Sequence, residues 1–131
     1  MLLSQYVAEN QPGAEWIVLC DFDGTISKRD VTDTLLEHFG KPGWEDLEAA
    51  WERGEIGSRE CMAKQIALID ASREELDELV AGIEIDPHFP AFVARARELG
   101  TPVHVVSDGA TSVITAILDR HGLADLPVVA N

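Results

Sequence analysis

The spacing of apolar positions changes twice along the chain. Trp16-Ile17-Val18-Leu19-Cys20 is an unbroken apolar run that leads into Asp21-Phe22-Asp23-Gly24-Thr25. Such a run predicts a strand covered on both faces, as in a parallel sheet. From Val31 the spacing becomes helical and stays so for about sixty residues. Val31, Leu35, Leu36 and Phe39 form one face, with Asp30 or Thr32 placed to cap it and Gly40 to end it. After the break at Lys41-Pro42-Gly43, Trp44, Leu47 and Trp51 mark a second helix whose tryptophans are expected to pack inward. A third is predicted from Ser58 to Ile69, with Met62, Ile66 and Ile69 on its packed side. Ser72-Arg73-Glu74-Glu75 is a capping box that opens a fourth, carrying Leu76, Leu79, Val80 and Ile83.

Strand–helix alternation then resumes. Phe89, Phe92, Val93, Ala96 and Leu99 predict a helix ended by Gly100, and residues 101–106 a strand that runs into Ser107-Asp108-Gly109. Val113, Ile117 and Leu118 mark a further helix, and residues 126–130 a last strand. Residues 1–15 read as a polar lead-in containing the turn pair Pro12-Gly13. The whole predicts an α/β fold with a parallel sheet of three strands. Residues 31–86 interrupt it as an inserted all-helical subdomain over the carboxyl end of the first strand, with Asp86-Pro87 as its exit.

Composition narrows the range of partners. The chain has 131 residues, 46% of them hydrophobic and 26% charged, which describes a globular protein rather than a disordered one. The formal net charge of −14 argues against nucleic acid and against anionic membrane, because both require clustered basic residues. An anionic ligand would need a metal cation or aimed backbone N–H groups to offset that field. Cys20 and Cys61 are too few for a disulfide framework and read as buried, reduced thiols. No stretch approaches a membrane span, and the N-terminus lacks the basic and apolar regions of a signal peptide. A cytoplasmic location is expected.

The chemistry concentrates at two predicted strand ends, where ligands of parallel α/β sheets bind. Residues i and i+2 of an extended segment point the same way, about 6.6–7 Å apart, so Asp21 and Asp23 can flank one small group. Such a pair suits phosphoryl transfer through a covalent intermediate: one carboxylate attacks phosphorus, and the other protonates the leaving oxygen and then deprotonates water. A carboxylate approaching a phosphate needs a cation, and Mg²⁺ bound by one or two carboxylates plus substrate oxygens supplies it. Gly24 permits close backbone approach to phosphate, Thr25 adds a hydroxyl, Ser107 can donate to the transferring group, and the Gly109 amide can contact an anion. A calcium loop does not fit, since Gly24 falls at loop position four and Thr32 occupies position twelve. His38, His88, His104 and His121 lack metal-ligand spacing.

The strand followed by Asp-Phe-Asp-Gly-Thr, the helical insertion and a second strand ending in Ser107 resemble the haloacid dehalogenase superfamily of hydrolases. Within it, the layout is similar to the phosphoserine-phosphatase-like branch. The resemblance implies a Rossmann-like core at residues 1–30 and 87–131 and a helical cap at 31–86. It also implies a phosphatase of small phosphorylated metabolites, with Asp21 as nucleophile, Asp23 as acid/base and Ser107 binding the phosphoryl group. Mg²⁺ would be held by the Asp21 carboxylate and the main-chain carbonyl of Asp23. Asp30 lies where these phosphatases engage the substrate amine, and Gln65 about where phosphoserine phosphatases carry an arginine. The surroundings of Asp30, Ser58-Arg59-Glu60-Cys61 and Gln65 look more like the methionine-salvage phosphatase of a methylthio-enol phosphate.

The resemblance also implies a C-terminally incomplete copy, because members of the superfamily continue to a lysine and an acidic pair with no match here. In these folds the first strand lies inside the sheet. Without its other neighbour, that strand would present an unpaired apolar edge open to self-association. The alternative expectation is a catalytically incomplete fragment or a non-catalytic domain that binds phosphate, metal or a partner.

Overall fold

The computed structural model describes residues 16–130; the lead-in with Pro12-Gly13 and the terminal Asn131 lie outside them. The order of elements is β1 (Val18–Asp21), α1 (Val31–Phe39), α2 (Trp44–Glu52), α3 (Ser58–Ala67), α4 (Arg73–Ala81), α5 (Phe89–Glu98), β2 (Val103–Val106), α6 (Thr111–Arg120) and β3 (Val128–Val129). The fold is α/β, with three parallel strands in the order β1-β2-β3 and six helices among the described residues. Its contacts divide into two units. One holds the sheet, α5 and α6, in the described residues 16–28 and 84–130; the other is Arg29–Ile83.

In the sheet unit the core lies against β2. Val103, His104 and Val105 are all buried, with α5 contributing Phe89, Val93 and Ala96, and α6 contributing Ile114, Ile117 and Leu118. β1 departs from the expectation of burial on both faces. Its residues alternate between half-buried and exposed, Leu19 is 40% exposed, and Trp16 just before it is 73% exposed. The reason is position: among the described residues β1 is an edge strand paired with β2 alone, while α5 packs on β2 and α6 on β3. The strand also starts and ends later than the apolar run, with Asp21 as its last residue. On α5 the apolar stripe is wider than the buried one, since Phe92 and Leu99 lie 45% and 64% exposed.

The segments that leave and re-enter this unit are tied together. Ser27 and Ile85 form an antiparallel bridge. The Lys28 amide donates to the Glu84 carbonyl at 3.0 Å, the Asp86 amide to the Ile26 carbonyl at 2.7 Å, and the Lys28 ammonium to the Glu84 carboxylate at 2.9 Å.

In the helical unit the caps are those expected. Asp30 accepts from the Asp33 amide at 2.9 Å to start α1, and Ser72 and Glu75 form a reciprocal capping box on α4. Gly40 ends α1 at an ordinary negative φ. It is glycine because a Cβ would come within 2.5 Å of the Leu36 carbonyl oxygen and 2.7 Å of the Trp44 ring. Two expectations change. The packed face of α3 is set by buried Cys61 and Gln65, one turn apart, while Ile66 is 48% exposed. Trp51 is also largely exposed, its indole N–H donating to Ser58 Oγ at 2.9 Å, and α2 has no buried residue. The cause is that Cys61 and Gln65 bond to main-chain oxygens of α2, which turns that face of α3 inward.

Candidate active site

Asp21 stands in register with Val106 across the parallel β1–β2 pair. The residues that follow each strand therefore leave the sheet at the same end, where parallel sheets expose their loops to ligands. After Asp21 the chain folds sharply. The Phe22 carbonyl accepts from the amides of Thr25, Ile26 and Ser27 at 3.2, 2.8 and 3.0 Å, and the Phe22 ring is fully buried. That ring anchors the turn between the two aspartates.

Gly24 sits at φ +72°, in the left-handed region that glycine enters without cost. A Cβ there would meet nothing within 4 Å. The backbone angle by itself calls for glycine. Ser27, buried at 1% exposure, completes the turn by accepting from the Gly24 amide and donating to the Phe22 carbonyl, each at 3.3 Å. Sequence reasoning did not single out Ser27. A hydroxyl three residues past the turn glycine, able to bond back to the backbone, was the available signal.

The aspartates have different surroundings. Asp21 is exposed, and its carboxylate accepts from Thr25 Oγ1 at 3.3 Å. Asp23 is half-buried, and its Oδ2 accepts from Ser107 Oγ at 3.4 Å. Ser107 Oγ in turn accepts from the Gly109 amide at 3.0 Å. Ser107 is itself held in the sheet by its main-chain N–H, which donates to the Val129 carbonyl at 2.9 Å. The two hydroxyl–carboxylate contacts are long for their kind, as hydrogen bonds in unliganded sites often are. Asp23, Ser107 and Gly109 thus meet across residues more than eighty apart in the chain, and Asp21 and Thr25 leave the same end of the sheet. The Gly109 amide, expected to face an anion, is engaged by Ser107 in this state.

Asp30 and Gln65 belong to the helical unit and are occupied there. Asp30 caps α1. Gln65, only 4% exposed, donates from its single Nε2 to the Trp44 carbonyl at 3.1 Å and to Glu48 Oε2 at 2.8 Å. Both partners are acceptors, so the amide nitrogen must face them, and the carbonyl end is left for other donors.

Two titrating groups near the site are pushed toward their neutral forms. Partial burial, and then the charge of neighbouring Asp21, hold the Cys20 thiol above its ordinary range, which makes it a poor nucleophile. Burial pushes the His104 imidazole down. For a metal, Asp21 and Asp23 offer hard oxygen donors of the kind Mg²⁺ takes together with substrate oxygens and water. Among the described residues no group of three or more His, Cys, Asp or Glu side chains is placed to hold one.

Residues 18–131 match the family described as haloacid dehalogenase-like hydrolase. A curated relative, 2-hydroxy-3-keto-5-methylthiopentenyl-1-phosphate phosphatase of Brevibacillus brevis, is 32% identical over 117 residues, covering 88% of this chain and 53% of the relative. Among solved structures, a phospho-aspartyl intermediate analogue of phosphoserine phosphatase superposes with a TM-score of 0.71 at 20% identity, over 88% of this chain and 55% of that one. A family hydrolase from Salmonella enterica subsp. enterica serovar Typhi gives 0.76 at 15% identity, over 98% and 47%. The chain spans about half the length of the curated relatives it matches. With the Asp-x-Asp turn and Ser107 brought to one end of a parallel sheet, and the family match covering nearly every described residue, the chain belongs to the haloacid dehalogenase-like hydrolases.

Proposed function

We propose that this chain is a Mg²⁺-dependent phosphomonoester hydrolase of a small phosphorylated metabolite, working through an aspartyl-phosphate on Asp21. The observation that carries the reading is the meeting of Asp23 with Ser107, at the sheet end where Asp21 closes β1. Asp21 is the exposed carboxylate and serves as nucleophile. Its oxygen forms a bond to phosphorus as the bond to the leaving oxygen breaks. Asp23 hands its proton to that oxygen, then takes one from the water that cleaves the acyl phosphate. Thr25 steadies the Asp21 carboxylate, Gly24 contributes its amide and Ser107 its hydroxyl to the phosphoryl oxygens, and Gly109, whose amide the sequence offered as an anion contact, serves the phosphoryl group through the Ser107 oxygen that it holds. The Asp21 carboxylate and the Asp23 main-chain carbonyl would hold Mg²⁺, whose charge offsets the repulsion between carboxylate and phosphate.

The substrate for which the curated relatives are named supports 2-hydroxy-3-keto-5-methylthiopentenyl-1-phosphate as the first compound to try. Asp30 and Gln65, in the helical unit, remain the proposed substrate-binding residues of that unit. The net charge of −14 supports a metabolite rather than nucleic acid or a membrane surface as partner. Among the described residues no helix is long and apolar enough to cross a membrane, and the cytoplasm is the proposed location. The β1 edge is the proposed route to self-association, and size-exclusion chromatography at rising concentration is expected to show a species larger than the monomer.

A second reading, phosphate or metal binding without turnover, is favoured by the two-carboxylate donor set. Hydrolysis of a generic aryl phosphate with Mg²⁺ separates the two. Turnover is expected, and Asp21→Asn is expected to lower it by roughly a thousandfold or more. Turnover that survives the substitution unchanged would exclude Asp21 as nucleophile.

A further inference from the structure

Gly109 differs from the turn glycines of the chain. Its φ lies outside the positive range that five other glycines occupy among the described residues, so its backbone does not require glycine. It is nevertheless buried, and its surroundings are specific. A Cβ at this position would lie 3.3 Å from Ser107 Oγ, 3.4 Å from Asp23 Oδ2 and 3.5 Å from Ile114 Cδ1. The first is tight and the second lies at the edge of ordinary contact, and they are the two atoms that form the 3.4 Å hydroxyl–carboxylate contact. The amide of the same residue donates to Ser107 Oγ at 3.0 Å. One residue therefore holds the hydroxyl from one side and leaves open the space in which that hydroxyl meets the carboxylate.

We propose that Gly109 is a positioning residue that acts through Ser107, aiming its hydroxyl proton at Asp23 until a phosphoryl oxygen becomes the acceptor of that hydrogen bond. A serine hydroxyl has one proton to donate and lone pairs to accept with. The Gly109 N–H occupies a lone pair, so the proton is turned away from Gly109 and toward Asp23. This inference rests on the phosphatase reading for the identity of the second acceptor. When a phosphoryl oxygen arrives, the hydroxyl rotates about its fixed oxygen, the Gly109 N–H···Oγ bond is kept, and Asp23 gives up one hydrogen bond as the phosphoryl group gains one. No proton changes owner in this exchange. The length of the Ser107–Asp23 contact suits it, because a loosely held proton is released at small cost.

The test separates the clip from the chemistry. In the ¹⁵N-labelled chain, hydrogen exchange of the amide at position 109 is expected to be slowed by Ser107. Ser107→Ala should speed it by about two- to tenfold, and Ser107→Thr, which keeps a hydroxyl, should restore it. Gly109→Ala should speed it comparably in the wild-type background and not further in Ser107→Ala. Exchange at position 109 that is the same in wild type and Ser107→Ala overturns the proposal, and it needs no active enzyme to be read. Should Gly109→Ala fail to fold, the Ser107→Ala and Ser107→Thr pair alone decides. Titration with inorganic phosphate and Mg²⁺ is the second arm. Gly109→Ala and Ser107→Ala are each expected to weaken phosphate binding about tenfold, with the double variant no weaker than Ser107→Ala; losses that add in the double variant overturn the coupling through Ser107. Protection at position 109 without phosphate binding in the wild type counts against the phosphatase reading and sustains the clip.

Discussion

Two clusters of polar side chains differ in how tightly they are bonded. Between α2 and α3, buried Gln65 uses both amide protons, on the Trp44 carbonyl at 3.1 Å and on Glu48 at 2.8 Å. At the strand ends, Thr25 reaches Asp21 at 3.3 Å and Ser107 reaches Asp23 at 3.4 Å, with Asp21 open to solvent. Short, buried, saturated bonds join elements of a fold, because leaving either partner unpaired there is costly. Long bonds to carboxylates that are exposed or only half-buried hold side chains near a position while leaving their donors and acceptors for a ligand. The first cluster is built for stability. The second is built for exchange.

Substitution should divide the clusters in opposite directions. The largest effect expected is that of Asp21→Asn on turnover, given above. The same change should leave the urea unfolding midpoint nearly unmoved, within about 0.5 kcal/mol of the wild type. A stability loss of several times that would mean that the strand-end contacts are structural after all.

Next in size is Gln65→Leu, which keeps the volume and removes both hydrogen bonds. It is expected to destabilise the chain by roughly 1–3 kcal/mol in denaturant titration, since the Trp44 carbonyl and Glu48 lose their donor. A neutral outcome would show that Glu48 and Trp44 find water at no cost, and the contrast between the clusters would collapse.

The smallest effect concerns His104 in β2. Burial lowers its folded pKa below the unfolded value of 6.5, so the unfolded chain binds more protons between those two values. The contribution of neutral His104 is therefore whole above about pH 6.5 and is lost as pH falls from there toward the lowered folded value. His104→Gln should flatten that part of the stability–pH curve without altering it above pH 7. A curve that keeps its slope in the variant would assign the dependence to carboxylates instead.

Much of this was legible from residue order. The helices follow from apolar spacing, and the caps at Asp30 and Ser72 from residue type, because both rest on interactions within a few residues of one another. Asp21, Asp23 and Ser107 stood out as polar residues ending apolar runs. The register that puts Asp21 beside Val106, and so Ser107 within reach of Asp23, depends on pairing between segments more than eighty residues apart. No local pattern encodes it. Ser27 was missed for a related reason: a lone serine carries no signal until the turn around Phe22 buries it.

The expectations that changed concern which apolar side chains lose contact with water. Leu19, Ile66, Phe92 and Trp51 satisfied their periodicities and yet lie exposed, since periodicity says which residues share a face and not whether another element covers it. By itself the sequence determined the family's Asp-x-Asp motif, the helix caps at Asp30 and Ser72 and the residue types available for chemistry, all of them short-range properties of the chain. Only the tertiary structure decided that Gln65 is bound into the α2–α3 contact and that Gly109 stands against both Ser107 and Asp23. Those outcomes depend on distances between residues far apart in the chain, and close packing fixes them only once the elements have met.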